Sequence, residues 1–157
     1  GFPVNLRKGE SKDSDTLAKI LYESLPEDFA TVKDATSNVG WWLTEMPEYI
    51  IVACTPNNLP IGIILLTPDT FPVLDENLAL LNYIAVDKRF RGRGVGQALA
   101  REACNVLLKN GKHSMEVDVD AHDISARIFY TKAGFYPFWF SKNYMPHDDG
   151  IFYRIDF

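Results

Sequence analysis

Glycine and arginine alternate in the segment Arg91-Gly92-Arg93-Gly94-Val95-Gly96, which follows an apolar run that ends at Val86. Apolar residues then recur with helical spacing, so the pattern predicts a strand, a turn and a helix. The first N–H groups of a helix have no carbonyl partner within it, and the helix dipole favours anions at this end. Glycine lets a ligand approach the backbone closely, and arginine adds positive charge. Residues 91–96 therefore predict a phosphate-binding turn.

The spacing within this turn differs from that of the two common nucleotide-binding motifs. It is not the Gly-x-x-x-x-Gly-Lys-Ser/Thr of a P-loop, and it lacks the Gly-x-Gly-x-x-Gly of a dinucleotide fold with an acidic residue about 20 positions further on. The Arg-Gly segment at residues 88–93 is also compatible with RNA binding, which predicts salt-dependent retention of RNA. The net charge of −5 argues against a general nucleic-acid surface, and we expect no nucleic-acid partner.

The turn resembles the acetyl-coenzyme A signature of the GNAT superfamily of N-acetyltransferases, Gln/Arg-x-x-Gly-x-Gly/Ala, which is matched by Arg91, Gly94 and Gly96. A second segment, residues 123–135, is similar to the family pattern Asn-x-x-Ala-x-x-x-Tyr-x-Lys-x-Gly-Phe. Asp123 stands where the family usually has Asn, and the remaining matches are Ala126, Tyr130, Lys132, Gly134 and Phe135. Two motifs in a compatible order are more specific than either alone.

Local physical chemistry agrees with the second motif. Asp123 can cap a helix, and Gly134 supplies a left-handed exit. Between them, four residues fall on one helical face: Ala126, Phe129, Tyr130 and Ala133. An aromatic-rich strand is predicted to follow, and Pro137 disfavours a central position for it in a sheet.

The 157 residues, of which 46% are hydrophobic, are enough for one core, so we expect a single domain over residues 1–157. The pattern predicts an α/β fold with the order βααβββαβαββ. The family resemblance implies the same order, with a mixed, mostly antiparallel sheet that is flanked by helices and opens a cleft between its fourth and fifth strands. The predicted elements are strands at 4–7, 48–55, 61–67, 78–86, 114–119, near Phe138 and at 151–157, helices beginning near Ser14 and Asp123, a helix ending at Asn110, and a second helix or an irregular lid beginning at Gly40.

The resemblance implies that acetyl-coenzyme A is the co-substrate. Its pantetheine arm is expected to pair with the backbone of Ile84, Ala85 and Val86, and its pyrophosphate with the amides of residues 91–96. The set of cofactor-binding residues is completed by Asp123 and Tyr130. We expect no metal cofactor.

The resemblance also implies a role for Tyr130 as the acid that protonates the departing thiolate, since a phenol has a pKa of about 10. A backbone N–H near Val86 can polarise the thioester carbonyl. No Cys or Ser lies in a nucleophile motif, so direct attack by the amine in a ternary complex is expected.

The base that deprotonates the amine is not evident. Many relatives have a Glu on the fourth strand, where this chain has Leu80, with Asn82 two positions further on. Glu116, Asp118 and Asp120 alternate with apolar residues and share one strand face, where they can orient a water, attract a cationic amine or simply be solvated. His122 is expected in a loop. The missing Glu leaves open a non-catalytic coenzyme A sensor with the same fold.

The acceptor is expected to be a primary amine of a small molecule or a peptide. Its specificity should depend on variable segments such as 27–42 and 69–77. Some aromatic residues can line its pocket, although at such positions they are more often core: Trp41, Trp42, Tyr83, Trp139 and Phe140. The apolar C-terminal strands can pair across a homodimer.

Cys54 and Cys104 form no disulfide framework and no metal set, and both are expected to be buried thiols. No apolar run approaches the roughly 20 residues that cross a bilayer, and the first residues lack the basic flank and apolar core of a signal peptide. We therefore expect a cytoplasmic protein without a membrane partner.

Overall fold

A computed structural model describes residues 2–68, 75–145 and 148–157 of the chain. Residue contacts divide the chain into two compact units. The first unit comprises Gly1–Thr67 and Asn82–Ala103, and the second comprises Pro68–Leu81 and Cys104–Phe157. Part of the segment expected to shape acceptor specificity, residues 69–74, lies outside the described residues.

The order of helices and strands confirms the predicted βααβββαβαββ. The bounds are β1 Asn5–Lys8, α1 Ser14–Ser24, α2 Val32–Glu45, β2 Ile50–Cys54, β3 Pro60–Thr67, β4 Leu78–Val86, α3 Val95–Lys109, β5 Ser114–Asp120, α4 Ile124–Lys132, β6 Tyr136–Met145 and β7 Asp148–Asp156. The strands form one sheet in the order β1-β2-β3-β4-β5-β7-β6. The pair β4–β5 is parallel, whereas β1–β2, β2–β3, β5–β7 and β6–β7 are antiparallel, so the expected mixed sheet is confirmed.

The core of the first unit is formed by helices packed on apolar strands. Leu17 and Leu21 lie one turn apart on α1, and both are fully buried, as is Val39 of α2. Strand β2 is buried along its whole length, so its sequence is a continuous apolar run without alternation. Because β2 is buried on both faces, the sheet of the first unit gives firm support to the turn that follows β4.

Helix α2 begins earlier than the sequence predicted. A second helix or a lid was expected from Gly40, but the helix starts at Val32. Thr31 accepts a hydrogen bond from the backbone of Asp34 at 3.2 Å, and the Asp34 carboxylate accepts one from the Thr31 N–H at 3.2 Å. This reciprocal capping box stabilises a first turn that is mostly polar and exposed, where the apolar period is weak.

In the second unit, β5 has one buried and one more accessible face. Met115, Val117 and Val119 are buried, as the alternating pattern predicts. Strand β6 lies at the edge of the sheet, in agreement with the expectation drawn from Pro137. No helix within residues 2–68, 75–145 and 148–157 is both long enough and apolar enough to cross a membrane.

Candidate functional site

The predicted phosphate-binding turn joins β4 to α3 in the first unit. It contains a single 3-10 turn at Lys88–Phe90 and two glycines with left-handed backbone, Gly92 at φ 75° and Gly94 at φ 83°. The carbonyl of Gly94 accepts the N–H of Ala98 at 3.0 Å, which is the first hydrogen bond of the helical ladder. The amides of the first turn of α3 therefore have no carbonyl of their own helix to bond, which is the arrangement that binds an anion.

The two glycines are required by backbone conformation, because L side chains rarely adopt these φ values. Apart from the adjoining residues of the chain, no described heavy atom lies within 4 Å of the position that a Cβ would occupy on Gly92 or on Gly94. Both glycines thus border open space, into which a ligand can approach the main chain. This geometry fits a pyrophosphate group.

The arginines of the turn differ in their surroundings. Arg91 donates from Nε to the carbonyl of Val86 at 3.0 Å and from Nη2 to Oγ of Ser24 at 2.9 Å. Arg93 lies over two aromatic rings, with its guanidinium carbon 5.2 Å from the centroid of Phe2 and 5.6 Å from that of Phe90. Sequence analysis assigned both arginines to the ligand as positive charges. The structure shows that Arg91 also braces the turn.

Strand β4 presents its backbone groups alternately to its two sides. The N–H of Asp87 donates to the carbonyl of Ile61 in β3 at 2.8 Å, so the backbone of Ala85, two positions earlier, also faces β3. Ile84 and Val86 consequently present their N–H and C=O groups to the opposite side. Of the three residues predicted to pair with a pantetheine arm, these two have suitably oriented backbone groups.

Tyr130 lies on α4 in the second unit and is 6% exposed. Its ring packs against those of Phe129, Phe135 and Tyr153, with centroids 5.1, 5.2 and 6.1 Å away. Burial raises the pKa of the phenol well above its usual value, and the negative charge of Asp118 adds to this shift, as does that of Asp123 to a smaller extent. Tyr130 is therefore protonated throughout the physiological pH range.

Asp123 caps α4, as the sequence predicted. Its Oδ1 accepts a hydrogen bond from the N–H of Ala126 at 3.0 Å. The helix ends at Lys132 and is followed by Gly134 at φ 97°, the expected left-handed residue. The cap fixes the start of the helix that carries Tyr130.

No carboxylate occupies the position where the family resemblance implies a Glu. Leu80 stands there, and the side chain of Asn82 accepts a hydrogen bond from Oγ1 of Thr67 at 2.6 Å. A side-chain amide is too weakly basic to take a proton from an amine, so Asn82 does not replace the missing base.

The three acids of β5 have different partners. Oε2 of Glu116 lies 3.1 Å from Nη1 of Arg154, and Oδ1 of Asp120 accepts the N–H of His122 at 2.8 Å. The side chain of Asp118 is exposed, and this carboxylate makes no hydrogen bond or ion pair with any residue of the described ranges. Asp118 is thus the acid of this strand that is available to a ligand. His122 lies in the loop between β5 and α4, as expected.

The five aromatic residues considered for an acceptor pocket divide into core and surface residues. Trp42 is 6% exposed and donates from Nε1 to the carbonyl of Leu66 at 2.9 Å, and Tyr83 packs against the same core cluster. Trp41, Trp139 and Phe140 are 49%, 65% and 55% exposed. Trp42 is thus a core residue and Tyr83 is partly buried against the core, whereas the three exposed residues are open to contact with an acceptor.

Of the two cysteines, Cys54 is buried as expected, but Cys104 is only half-buried because it lies at the margin of the buried stripe of α3. Burial raises the pKa of both thiols, which disfavours the reactive thiolate. Among the described residues, no three His, Cys, Asp or Glu side chains are arranged to hold a metal ion.

A concavity of about 430 Å³ lies beside α4 and was not predicted. Arg127, one of its lining residues, is held by two hydrogen bonds. It donates from Nη1 to the carbonyl of Ala121 at 3.1 Å and from Nε to the hydroxyl of Tyr153 at 3.4 Å. Its lining residues are Ile124, Arg127, Ile128, Thr131, Lys132 and Tyr153. Since this lining does not include Asp123 or Tyr130, the concavity is separate from the predicted site residues of the second unit.

Sequence comparison identifies relatives among acetyltransferases. The model of the acetyltransferase (GNAT) family matches residues 15–135. An uncharacterized N-acetyltransferase from Methanocaldococcus jannaschii is 30% identical over 95 residues, which cover 60% of this chain and 42% of that protein. The [ribosomal protein bS18]-alanine N-acetyltransferase of Escherichia coli is 36% identical over 78 residues, 50% of this chain and 51% of that protein. The matched segments thus span about half the length of these relatives or less.

Solved structures show the same fold at lower sequence identity. A protein from Desulfovibrio desulfuricans assigned to the GNAT family has a TM-score of 0.82 at 23% identity, with 98% of this chain and 99% of that chain covered. YncA from Salmonella typhimurium, solved with its cofactor acetyl-CoA, has a TM-score of 0.77 at 13% identity, with coverages of 98% and 93%.

Proposed function

The chain belongs to the acetyltransferase (GNAT) family, and from this premise we propose that it transfers an acetyl group from acetyl-coenzyme A to a primary amine. The observation that carries the proposal is the turn at Gly92 and Gly94, where left-handed glycines border open space at the start of α3. Anion binding at such a helix start requires no further side chain. The curated relatives that are N-acetyltransferases support the choice of an amine acceptor.

Acetyl-coenzyme A would supply the activated thioester, and residues of β4 and of the glycine-rich turn in the first unit would bind it. The amides of residues 91–96 hold the pyrophosphate, with Arg93 adding charge. Ile84 and Val86 offer backbone groups to the amides of the pantetheine arm, as in the addition of a strand to a sheet edge. The carbonyl of Val86 already accepts from Arg91, so its N–H is the group that is free to polarise a carbonyl.

Proton transfer in this proposal involves Tyr130 and solvent. The amine nitrogen bonds to the acetyl carbon, the carbon–sulfur bond breaks, and the phenol donates its proton to the sulfur. The amine loses a proton to water, because Leu80 stands at the position of the family's Glu and Asn82 is engaged with Thr67. The acidic strand β5 raises the local concentration of the cationic amine.

The test is a panel of primary amines, including amino acids, polyamines, aminoglycosides and peptides with free N-termini, incubated with acetyl-coenzyme A. Release of free thiol and the mass of the acetylated product are measured together, with a reaction lacking amine as the control. We expect amine-dependent thiol release that Gly94→Asp abolishes. Release that is the same with and without every amine contradicts the transferase.

A second candidate is a coenzyme A sensor without catalysis, which is favoured by Leu80 in place of the family's Glu. Calorimetric titration separates the two functions. A sensor binds coenzyme A and acetyl-coenzyme A tightly but releases no thiol with any amine, whereas the transferase does both.

A further inference from the structure

The sheet of the second unit has one face that α4 does not cover. Helix α4 packs on the face of Tyr153 and Ile155, since the ring of Tyr130 lies 6.1 Å from that of Tyr153. On the opposite face, cross-strand pairing aligns residues of β5, β7 and β6 in two adjacent rows. The first row is Glu116, Arg154 and Tyr136, and the second row is Asp118, Phe152 and Trp139.

A bulge in β6 creates the second row. The register shifts between Pro137 and Trp139, so that Phe138 is the extra residue. Its ring lies 6.3 Å from that of Phe152, on the uncovered face. Phe138 and Trp139 are 41% and 65% exposed, and together with Phe152 they form an aromatic surface beside Asp118.

The first row shows what this arrangement accommodates. Arg154 lies between an acid and an aromatic residue, with Nη1 3.1 Å from Glu116 and Nε 2.9 Å from Asp156. The hydroxyl of Tyr136 donates to the same Asp156 at 2.6 Å. The row is therefore an acid, a cation and an aromatic ring, and its charges are paired within the protein.

The second row also has an acid on β5 and an aromatic residue on β6, but the residue between them on β7 is not a cation. Asp118 makes no ion pair with any described residue, and Phe152 occupies the position that Arg154 takes in the first row. Neighbouring strands lie about 4.8 Å apart, so the backbone positions of Asp118 and Trp139, two strands apart, are separated by roughly 10 Å. The aliphatic stem of a lysine or arginine can cross Phe152 while its charged end meets Asp118 or the face of Trp139.

We propose that the row of Asp118, Phe152 and Trp139 binds a lysine or arginine side chain of a peptide acceptor, so that the substrate class is a basic peptide. The inference rests on the proposed acetyl transfer. The negative charge of this face repels nucleic acid, and its aromatic rings favour an organic cation over a hydrated metal ion.

The test compares two peptides with the same free N-terminus and a C-terminal fluorophore. One carries arginine at alternate positions, and the other carries citrulline, the uncharged urea analogue. Neither side chain can be acetylated, so both peptides offer one reactive amine. Binding to the protein saturated with coenzyme A is measured by fluorescence anisotropy. We expect the arginine peptide to bind about tenfold more tightly.

Asp118→Asn and Trp139→Ala should each reduce this preference to less than about threefold. Both side chains are exposed, so melting curves should be unchanged. Glu48→Gln is the matched control, because it removes one negative charge from an exposed site in the first unit and should keep the full preference.

Equal binding of the two peptides by the parent protein overturns the inference, as does an equal loss of preference in Glu48→Gln. If sedimentation shows a dimer that Trp139→Ala dissociates and the peptide does not displace, a second copy covers the row and the inference is wrong. Thiol release with small amines is measured in parallel. Its absence with every amine and peptide overturns the proposed function, whatever the peptides show, whereas its presence with equal peptide binding overturns the inference alone.

Discussion

The guanidinium of Arg91 donates to the carbonyl of Val86, so the first arginine of the glycine-rich turn ties that turn back to the strand before it. A second nitrogen of the same side chain donates to Ser24, which is 67 positions earlier in the sequence. Arg91 therefore shapes the backbone that presents the amides of α3.

Substitutions of Arg91 and Arg93 should distinguish the stabilisation of the turn by hydrogen bonds from the attraction of the ligand by positive charge. We expect Arg91→Gln to weaken coenzyme A binding and to cost about 1 kcal/mol of unfolding free energy, because it removes both hydrogen bonds from a partly solvated site. Arg93→Gln should weaken binding with little change in stability, since the guanidinium of Arg93 packs on the rings of Phe2 and Phe90 and makes no hydrogen bond or ion pair with a described residue. Calorimetric titration and urea unfolding measure the two effects. Equal unfolding free energies of the two variants would contradict a stabilising role for the hydrogen bonds of Arg91.

Charge at the start of α3 can be tested at Gly94 with two side chains of the same shape. Asn enters left-handed backbone more readily than most residues, so Gly94→Asn should fold. Gly94→Asp has nearly the same shape but places a negative charge where the pyrophosphate is proposed to bind. We expect coenzyme A affinity to fall at least about tenfold further in the Asp variant, in line with a charge effect of roughly 1 to 2 kcal/mol. Equal affinities would place the anion elsewhere.

Asp123 should act mainly as a helix cap. Its carboxylate accepts the N–H of Ala126, and an Asn side chain can accept the same bond. Asp123→Asn should therefore be nearly neutral in thermal melting, whereas Asp123→Ala should cost about 0.5 to 2 kcal/mol. Activity should follow stability. A large loss of turnover in a fully stable Asn variant would show instead that the charge serves the reaction.

Tyr130→Phe separates catalysis from binding. The ring contacts with Phe129, Phe135 and Tyr153 remain in the variant, so coenzyme A affinity and melting temperature should be unchanged. Single-turnover thiol release should fall by about 10² to 10⁴, the usual contribution of a general acid. Because the pKa of this phenol is raised, no alkaline loss of activity below about pH 10 should come from Tyr130. A variant that matches the parent at every pH would leave Tyr130 a packing role only.

The carboxylate of Asp13 should make the free energy of unfolding depend on pH in the acidic range. It is 3% exposed and lies 2.7 and 2.9 Å from two nitrogens of Arg7. Burial alone raises the pKa of this carboxyl, but the hydrogen bonds from Arg7 and from the N–H of Glu10 outweigh burial and leave the pKa below its usual 3.8. A depressed folded pKa means that the stabilisation is complete above 3.8 and is lost as the pH falls through the lower, folded value.

Asp13→Asn should therefore cost about 2 to 3 kcal/mol at pH 7, and the difference from the parent should narrow as the pH falls below 3.8. Urea unfolding at pH 7 and at successively lower pH measures this, with the exposed neighbour Asp15→Asn as the control. A difference that does not change with pH would mean that Asp13 stabilises by shape and not by charge.

The sequence by itself determined the order of the elements, the glycine-rich turn between β4 and α3 and the cap at Asp123. These features depend on residues close together in the chain, so they can be predicted from the hydrophobic periodicity and backbone preferences of short segments. The true start of α2 was also encoded locally, in the capping box of Thr31 and Asp34. It escaped prediction because the first turn of that helix is mostly polar and its apolar period is weak.

Tertiary structure alone decided which distant residues meet. Nothing in the sequence joins Arg91 to Ser24 or Thr67 to Asn82, because each contact depends on how separate elements pack. The row of Asp118, Phe152 and Trp139 likewise depends on strand register and on the bulge at Phe138. A shift of one residue turns every side chain of a strand to the opposite face, and the long-range pairing that fixes this shift is not written in the local pattern.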